Sequence, residues 1–425
     1  MDTAPLLPSS KAPTPCYALW LFFSLVGGMI YGYNVSIAPS LPYLADDLNL
    51  TTSQQEMASA SATLSDTLTM LAGGHLADAF GRRPTAIAAC ALSVFGAIGN
   101  LAFHSSLSYF LFWRLCAGIG NALSILILPM YISESVDVAR RGRCISLYQL
   151  GVLTGTLVPY VVMLLSENWL LTFALGAVPG LFTLACFFSG YFTERRHEAS
   201  RQTAPEKPHL LAAPSASLPQ LSHATLLVVG ILLAYSNNSI DLTLFYGPTI
   251  ISQFIQSSSR VSANLIGLCL SSLSVVSVGG AAIFLRSTFP RRSFYLVCHG
   301  IVVVCFLAAS VLFTSATENA SLDARALLLL VVLGLLVLFQ TCGPGLLFVL
   351  IVSELFEDPV VRATSMGYCT FAMSGFSLVI NGTLLSLFAA LGVGGTFAAY
   401  GLSYAACWAV FYKYLPETST RQIQH

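Results

Sequence analysis

Charged side chains are scarce in this sequence. Asp, Glu, Lys and Arg make up 9% of its 425 residues, whereas a soluble domain carries roughly 25%. The 19 basic and 19 acidic residues are too few to coat a water-soluble protein of this length, so a soluble fold is excluded. Because the two signs balance, the chain also lacks the basic field that would attract nucleic acid.

Clustered cysteines and catalytic constellations are missing as well. The 11 cysteines contain no Cys-x-x-Cys pair, and most of them lie inside apolar runs. They are interpreted as small packing residues and predict neither a metal site nor a disulfide framework. No nucleophile–base constellation or metal-ligand spacing is present, so the sequence predicts no enzyme and no cofactor.

Long apolar runs dominate the chain, 56% of which is hydrophobic. A membrane helix needs about 20 mostly apolar residues. Twelve runs of this kind are predicted at 17–39, 56–77, 84–104, 109–133, 145–165, 170–192, 224–250, 263–285, 294–314, 326–352, 364–388 and 396–414. The predicted fold class is therefore an all-α membrane protein with twelve transmembrane helices in two six-helix bundles.

One polar, proline-spaced stretch divides the predicted helices into six and six, and it is interpreted as a linker. The predicted organisation is a tail at 1–16, a bundle at 17–192, a linker at 193–223, a second bundle at 224–414 and a tail at 415–425. All basic residues except Arg114, Arg260 and Arg325 fall on the side of both termini. The positive-inside rule makes that side cytoplasmic.

Two glycosylation sequons agree with this orientation. Asn49-Leu50-Thr51 and Asn319-Ala320-Ser321 fall in predicted lumenal or extracellular loops. Glycosylation is therefore predicted at Asn49 and Asn319, although a three-residue pattern is weak by itself.

Carboxylates and arginines recur together at the cytoplasmic ends of predicted helices. Such charges can pair between helices without entering hydrocarbon, and a network of pairs biases one conformation over another. The pattern favours a gate over incidental carboxylates in a positive-inside loop. The predicted gate residues are Asp78, Arg82, Arg83, Glu134, Arg141, Glu354 and Arg362.

The two halves carry related motifs, as in Ser133-Glu134 and Ser353-Glu354, and two six-helix halves are a known transporter plan. The run Gly74-x-x-x-Asp78-x-x-Gly81-Arg82-Arg83 resembles the signature of the major facilitator superfamily. Further matches resemble its sugar porter, or glucose-transporter-like, branch. They are Gly27 to Asn34, Pro129 to Arg143, Tyr148-Gln149-Leu150-Gly151, Gly343-Pro344-Gly345, Ser353-Glu354-Leu355-Phe356 and Pro416-Glu417-Thr418.

The resemblance implies transport of a monosaccharide or polyol by alternating access. Gln149 matches the family's sugar-binding glutamine, and Asn34 stands where proton-coupled members carry an aspartate, which favours a uniporter. The predicted substrate-binding residues are Gln149, Asn34, Asn238, Asp241, Tyr246 and Thr341. The break Gly343-Pro344-Gly345 is the predicted hinge.

The second half departs from the family pattern, with Asp241 in place of an asparagine and Val349 in place of a tryptophan. A carboxylate inside the bilayer costs ~2.5–3.5 kcal/mol on insertion scales and usually faces a cavity or a partner. Asp241 and Asp66 could therefore bind substrate hydroxyls, couple a proton to transport, or only pack helices. A non-transporting sensor or scaffold is the remaining alternative.

The N-terminus resembles an acidic dileucine sorting signal, in which Asp2 precedes Leu6 and Leu7. It predicts a sorting adaptor as a partner, with residence in endosomal or lysosomal membranes and at the plasma membrane. A chance match in a proline-rich tail is the alternative.

Overall fold

The computed structural model describes residues 17–102, 106–189, 192, 222–244, 260–284, 290–314, 324–356 and 359–417. Several predictions lie outside these residues or concern side chains that are not described. They are the sorting signal Asp2, Leu6 and Leu7, the site residue Tyr246, the sequon residue Asn319, most of the 193–223 linker and the side chain of Arg362.

The described part of the first half, up to residue 192, contains eight helices. They are α1 (Tyr17–Val35), α2 (Leu41–Asp47), α3 (Thr52–Phe80), α4 (Arg82–Ala102), α5 (Leu107–Ser135), α6 (Val138–Ser166), α7 (Trp169–Leu175) and α8 (Ala177–Phe188). Helix α3 begins with a capping box, in which the backbone N–H of Thr51 donates to Gln54 Oε1 at 2.9 Å. This pair satisfies backbone donors that the first turn of a helix leaves unbonded.

Among the described residues from 222 onward there are seven helices and one π-helical turn. They are α9 (His223–Asn237), α10 (Ser239–Leu244), α11 (Arg260–Phe284), α12 (Arg291–Thr314), α13 (Ala324–Gln340), the turn Thr341–Gly345, α14 (Leu346–Leu355) and α15 (Pro359–Tyr414). Helix α15 is broken at Gly392, whose φ of 71° lies in the left-handed region that favours glycine. It therefore consists of two helices in sequence.

Within the described ranges, nine helical stretches are long and apolar enough to cross a membrane. One of them is the broken helix α15, which supplies two crossings. Helix α3 is more polar, and α9 is apolar but only 15 residues long; both pack among the others. The arrangement is consistent with twelve crossings, and no strand occurs in the described part of the chain. The prediction of an all-α membrane fold is confirmed.

The Gly81-Arg82-Arg83 motif is a tight reversal between two membrane helices. Gly81 ends α3 with a φ of 93°, and α4 begins at the next residue, Arg82. A side chain at this φ would be strained. The glycine therefore fixes both arginines at one end of the molecule, called here the arginine-rich end. The end at which α3 begins is called the opposite end.

Glycines bring α1 and α6 into backbone contact. A Cβ atom at Gly32 would lie 1.8 Å from the carbonyl oxygen of Val152, and one at Gly151 would lie 2.0 Å from that of Leu25. Helices approach this closely in membranes only where small residues line the contact. The contact places the part of α6 that carries Gln149 beside the middle of α1, around Gly28.

We expect Gly32→Ala to destabilise the protein strongly. Alanine in a helix is ordinarily more stable than glycine by roughly 0.5–1 kcal/mol, but the added methyl group here meets a backbone carbonyl that cannot move aside. The control is Gly375→Ala in α15, where no heavy atom lies within 4 Å of the added carbon. Melting temperatures of the purified proteins in detergent should fall for the first variant and stay or rise for the second.

The two halves meet along two pairs of helices. Helix α3 packs against the part of α15 before Gly392, and α6 packs against α11. In the second contact Gly267 faces the ring of Tyr160, which would lie 2.3 Å from a Cβ atom there. These two seams, called here the inter-half interface, enclose the segments that carry the predicted site residues.

Candidate functional site

A break in the helical path lies between α9 and α10, where Asn238 caps α9. The amide of Asn238 is buried and donates to the carbonyl of Met373 in α15 at 2.6 Å. The amide of Gln340 in α13 donates to the carbonyls of Asn237 at 2.9 Å and of Ser236 at 3.2 Å. A break inside a membrane is tolerated when side chains bond the freed carbonyls in this way.

Two buried carboxylates lie at the inter-half interface, and both bind serines of α15. Asp66 of α3 is 4% exposed and accepts a hydrogen bond from the Ser374 hydroxyl at 3.0 Å. Asp241 of α10 is 8% exposed and accepts one from the Ser377 hydroxyl at 2.6 Å. Ser374 and Ser377 are three residues apart and so lie on one face of α15. Asp66 of the first half and Asp241 of the second half therefore both contact that face.

Neither acid makes an ion pair with any residue in the described ranges. The Tyr31 hydroxyl of α1 lies within electrostatic range of both carboxylates, which places them in one polar cluster. One oxygen of Asp66, Oδ1, is buried without a hydrogen-bond partner among the described residues. Acids inside a membrane usually face a bundle interior or cavity, and this cluster occupies the interface between the halves.

The first half contributes Gln149 and Asn34. Gln149 is half-buried on α6, and its amide makes no hydrogen bond within the described part of the chain. Asn34 is buried near the end of α1, where its amide donates to the Ile30 carbonyl at 2.9 Å. Of the site residues predicted and described, Gln149 is thus the one whose amide is left available for a ligand.

Arg114, which the sequence analysis counted among the charges on the side opposite the termini, has a packing role that the sequence analysis did not predict. It lies within α5, is 2% exposed, and donates from Nη1 to the Asn34 carbonyl at 2.7 Å. Its guanidinium also lies over the Phe173 ring, 5.5 Å from the centroid. A buried cation needs such partners, and Arg114 holds the end of α1 in place.

The predicted hinge coincides with the π-helical turn Thr341–Gly345. A π-helical turn inside an α-helix often marks a functional site, and Pro344 removes one backbone donor from it. The hydroxyl of Thr341 donates to the Val337 carbonyl at 2.8 Å, within its own helix. Gly343 packs on Cys298, whose Cβ would lie 2.3 Å from an added Cβ atom. The turn is thus closely packed against α12.

The predicted gate residues of the first half form one cluster at the arginine-rich end. Arg82 pairs with Asp78 and lies 3.5 Å from Glu134 Oε1. Arg83 donates to the carbonyl of Phe187 at 2.8 Å. Arg141 is exposed and forms neither of these ion pairs. The cluster joins α3, α4 and α5, which all belong to the same half.

In the second half, Glu354 pairs with Arg291. The sequence analysis had grouped Glu354 with Arg362, the next arginine along the chain, whose side chain lies outside the description. Glu417 accepts hydrogen bonds from the backbone N–H groups of Arg291 at 2.9 Å and Arg292 at 3.3 Å. Every ion pair that the structure describes therefore lies within one half.

Apolar packing joins the halves at the opposite end. One buried cluster there combines residues of both halves, among them Leu41, Phe110, Leu242, Phe306 and Phe388. At the arginine-rich end there are two separate clusters. One contains Trp20, Phe23 and Tyr131 of the first half. The other contains Tyr295, Phe348 and Phe411 of the second half. In the described part of the chain, the two halves therefore pack together at the opposite end, and the protein is in a conformation that is closed there.

Sequence reasoning missed Gln340, Ser374, Ser377 and the role of Arg114. Gln340 is fully buried, and a polar residue inside a long apolar run is a signal that could have found it. Arg114 carries the same signal. The two serines carry none, because serine is common in membrane helices and bonds its own backbone.

We expect Gln340→Leu to destabilise the second half. Leucine is similar in size but leaves the carbonyls of Ser236 and Asn237 without their side-chain donor, at about 1–3 kcal/mol for each unsatisfied group. The control is Thr383→Val, because Thr383 is exposed and its hydroxyl donates only within α15. The melting temperature should fall for the first variant alone. Equal values would show that the break at Asn238 does not need Gln340.

Comparisons with known proteins agree with this architecture. Residues 21–378 match the family model of the Major Facilitator Superfamily. The chain is 22% identical over 96% of its length to 91% of the "Solute carrier family 2, facilitated glucose transporter member 10" of Danio rerio. It is 25% identical over 95% of its length to 83% of the "Probable polyol transporter 4" of Arabidopsis thaliana.

Among solved structures, the fold is similar to that of a D-xylose–proton symporter, with a TM-score of 0.77 and 19% identity. The match covers 95% of this chain and 99% of the other. The sequence prediction of a sugar porter resemblance is confirmed, as is the prediction that the chain is not an enzyme.

Proposed function

The chain belongs to the Major Facilitator Superfamily, in its sugar porter branch, and we propose that it carries a monosaccharide or polyol across a membrane by alternating access, as a facilitative uniporter. The observation that carries the proposal is the amide of Gln149, which has no hydrogen-bond partner among the described residues and is half-buried on the helix that packs against the second half. An amide supplies both a donor and an acceptor, which suits a hydroxyl-bearing substrate.

Substrate lies between the halves in this proposal. Gln149 supplies an amide from the first half, and Asp241 supplies an acceptor from the second, with Asn34, Asn238 and Thr341 shaping the backbone around them. Asn34 stands where proton-coupled members of the family carry an aspartate, and this supports uniport. Packing at the opposite end and separate clusters at the arginine-rich end support a state that opens toward the arginine-rich end.

The two ends exchange roles during transport. Opening the opposite end separates α3 from α15, while the ends that carry Arg82 and Arg291 approach each other. The gate set Asp78, Arg82, Glu134 and Glu354 then forms contacts between the halves, and the turn Thr341–Gly345 serves as the hinge of its helix.

The arginine-rich end is proposed to be cytoplasmic, and the membrane to be endosomal, lysosomal or plasma membrane. Asn49 fits this orientation, because its side chain is exposed at the opposite end, in the turn before α3. Loss of a glycan-dependent mobility shift in Asn49→Gln would support that assignment. An unchanged shift would assign the glycan elsewhere.

A panel of sugars and polyols tests binding directly. A ligand that binds the folded protein at 100 times its Kd raises the free energy of unfolding by about 2.7 kcal/mol. We expect at least one hexose, pentose or polyol to raise the melting temperature of the purified protein, and Gln149→Ala to lose that rise. No rise for any compound of the panel would argue against sugar binding.

Proton-coupled transport is the second candidate function. It is favoured by the two buried carboxylates, Asp66 and Asp241, which lack an ion-pair partner among the described residues. In this case uptake into proteoliposomes follows an imposed proton gradient, and Asp241→Asn removes that dependence. Uptake that ignores the gradient in both proteins would exclude coupling and leave uniport.

A further inference from the structure

A third buried acid, Glu56, lies in the second turn of α3 at the opposite end. Its side chain is 6% exposed, whereas its neighbours Thr52, Ser53 and Met57 are exposed. The helix dipole favours an acid only within the first turn of a helix, which Glu56 lies beyond. The dipole therefore does not explain why Glu56 turns into the protein.

Its burial is explained by a contact with the other half. Both carboxylate oxygens accept hydrogen bonds from Ser386 of α15. The backbone N–H donates to Oε1 at 2.6 Å and the hydroxyl donates to Oε2 at 2.7 Å. Hydrogen bonds to an ionised acceptor are about twice as strong as neutral ones. Ser386 lies at the rim of the contact and is itself exposed on its outer side.

The contact between Glu56 and Ser386 lies at the opposite end, where the two halves pack together. It is the outermost of the polar contacts described between α3 and α15, and Asp66–Ser374 lies deeper along the same seam. Gly382 faces Ala60 between them, with a Cβ distance of 3.5 Å to the Ala60 methyl group. Opening this end requires the seam to separate and both hydrogen bonds of Glu56 to break.

We propose that Glu56 and Ser386 form a latch that holds the two halves closed at the opposite end. The latch rests on the proposed alternating access, because it acts only when the halves separate there. Glu56 is thus a positioning residue that sets the population of one conformation. It adds to the predicted gate, whose residues all lie at the arginine-rich end.

Distances between spin labels measure this population without any substrate. Ser108 and Ala390 are exposed residues at the opposite end, one in each half. Both are changed to cysteine and labelled, with Cys16 and the exposed Cys269 replaced by serine. The protein is purified at full length in nanodiscs, and electron–electron distances are compared between the parent and the latch variants.

We expect Glu56→Ala to raise the ratio of long to short distances about tenfold or more, because two hydrogen bonds to a charged group are lost. Ser386→Ala keeps its backbone N–H and should give a smaller shift in the same direction. Glu56→Gln keeps one acceptor oxygen and should fall between the parent and Glu56→Ala. The matched control is Glu167→Gln, an exposed acid at the same end, which should leave the distances unchanged.

Distances that stay at the parent values in Glu56→Ala, Glu56→Gln and Ser386→Ala would overturn the latch. Glu56→Gln keeps the size of the side chain, so a fold lost in Glu56→Ala does not prevent the comparison. The result is also separable from the proposed function. Shifted distances with no flux of any sugar would retain the latch and reject transport, and unchanged distances with saturable flux would do the reverse.

Discussion

Gln149→Ala is expected to reduce saturable sugar or polyol uptake by about 10- to 100-fold, because a substrate hydroxyl then loses an amide partner worth about 1–3 kcal/mol. The amide makes no hydrogen bond with any residue in the described ranges, so its removal breaks no described protein contact. Melting temperature without substrate should therefore stay near that of the wild type. Uptake into proteoliposomes, measured over a range of substrate concentrations, gives kcat and KM.

Two further variants test which group of the Gln149 side chain contacts the substrate and whether the effect is specific to this residue. Gln149→Glu keeps the size and the acceptor but loses the donor, so a partial loss of uptake would assign the amide N–H to the substrate. Ser146→Ala changes an exposed residue of the same helix and should transport like the wild type. Uptake that survives Gln149→Ala intact would remove this residue from the site.

Asp241→Ala is the second change expected to have a large effect, again about 10- to 100-fold on uptake. The carboxylate accepts from Ser377 at 2.6 Å and is the charge that the second half brings to the interface. Truncation removes an acceptor for the substrate and leaves the half-buried Ser377 hydroxyl to be satisfied by its own helix. Uptake and melting temperature are measured together, so that a loss of folding is recognised.

Asp241→Asn separates the two roles of this carboxylate. The amide oxygen still accepts a hydrogen bond, so a uniporter should keep most of its uptake. In a proton-coupled transporter the same variant should lose uphill accumulation while it retains exchange. Ser377→Ala is the matched control, since it removes the hydrogen bond and keeps the charge.

Much of the fold follows from the sequence because hydropathy and charge act locally. The apolar runs predicted the helices, and the recurring carboxylates and arginines predicted charged helix ends, as at Asp78 and Arg82. The helix boundaries differ from the predicted ones where contacts with other helices determine them. The run predicted at 224–250 contains a break at Asn238, which is held by Gln340 from a distant helix.

Contacts between side chains that are far apart in the sequence were harder to predict. Sequence order suggested Arg362 for Glu354, and it gave no sign of Arg291, which α12 brings to Glu354 from earlier in the chain. The partners of Asp66 and Glu56 lie in α15, in the other half, and no spacing rule links them. Arg114 was assigned by topology alone, although its burial and its bond to the Asn34 carbonyl make it part of the helix packing.

Counterflow in proteoliposomes tests the central claim most directly. Vesicles that hold the purified full-length protein are loaded with unlabelled hexose, pentose or polyol, and entry of the labelled compound is followed without a proton gradient. Alternating-access uniport predicts transient, saturable accumulation for at least one compound, and its loss in Gln149→Ala. Binding of such a compound with no counterflow in the wild-type protein would contradict transport and identify a sensor instead.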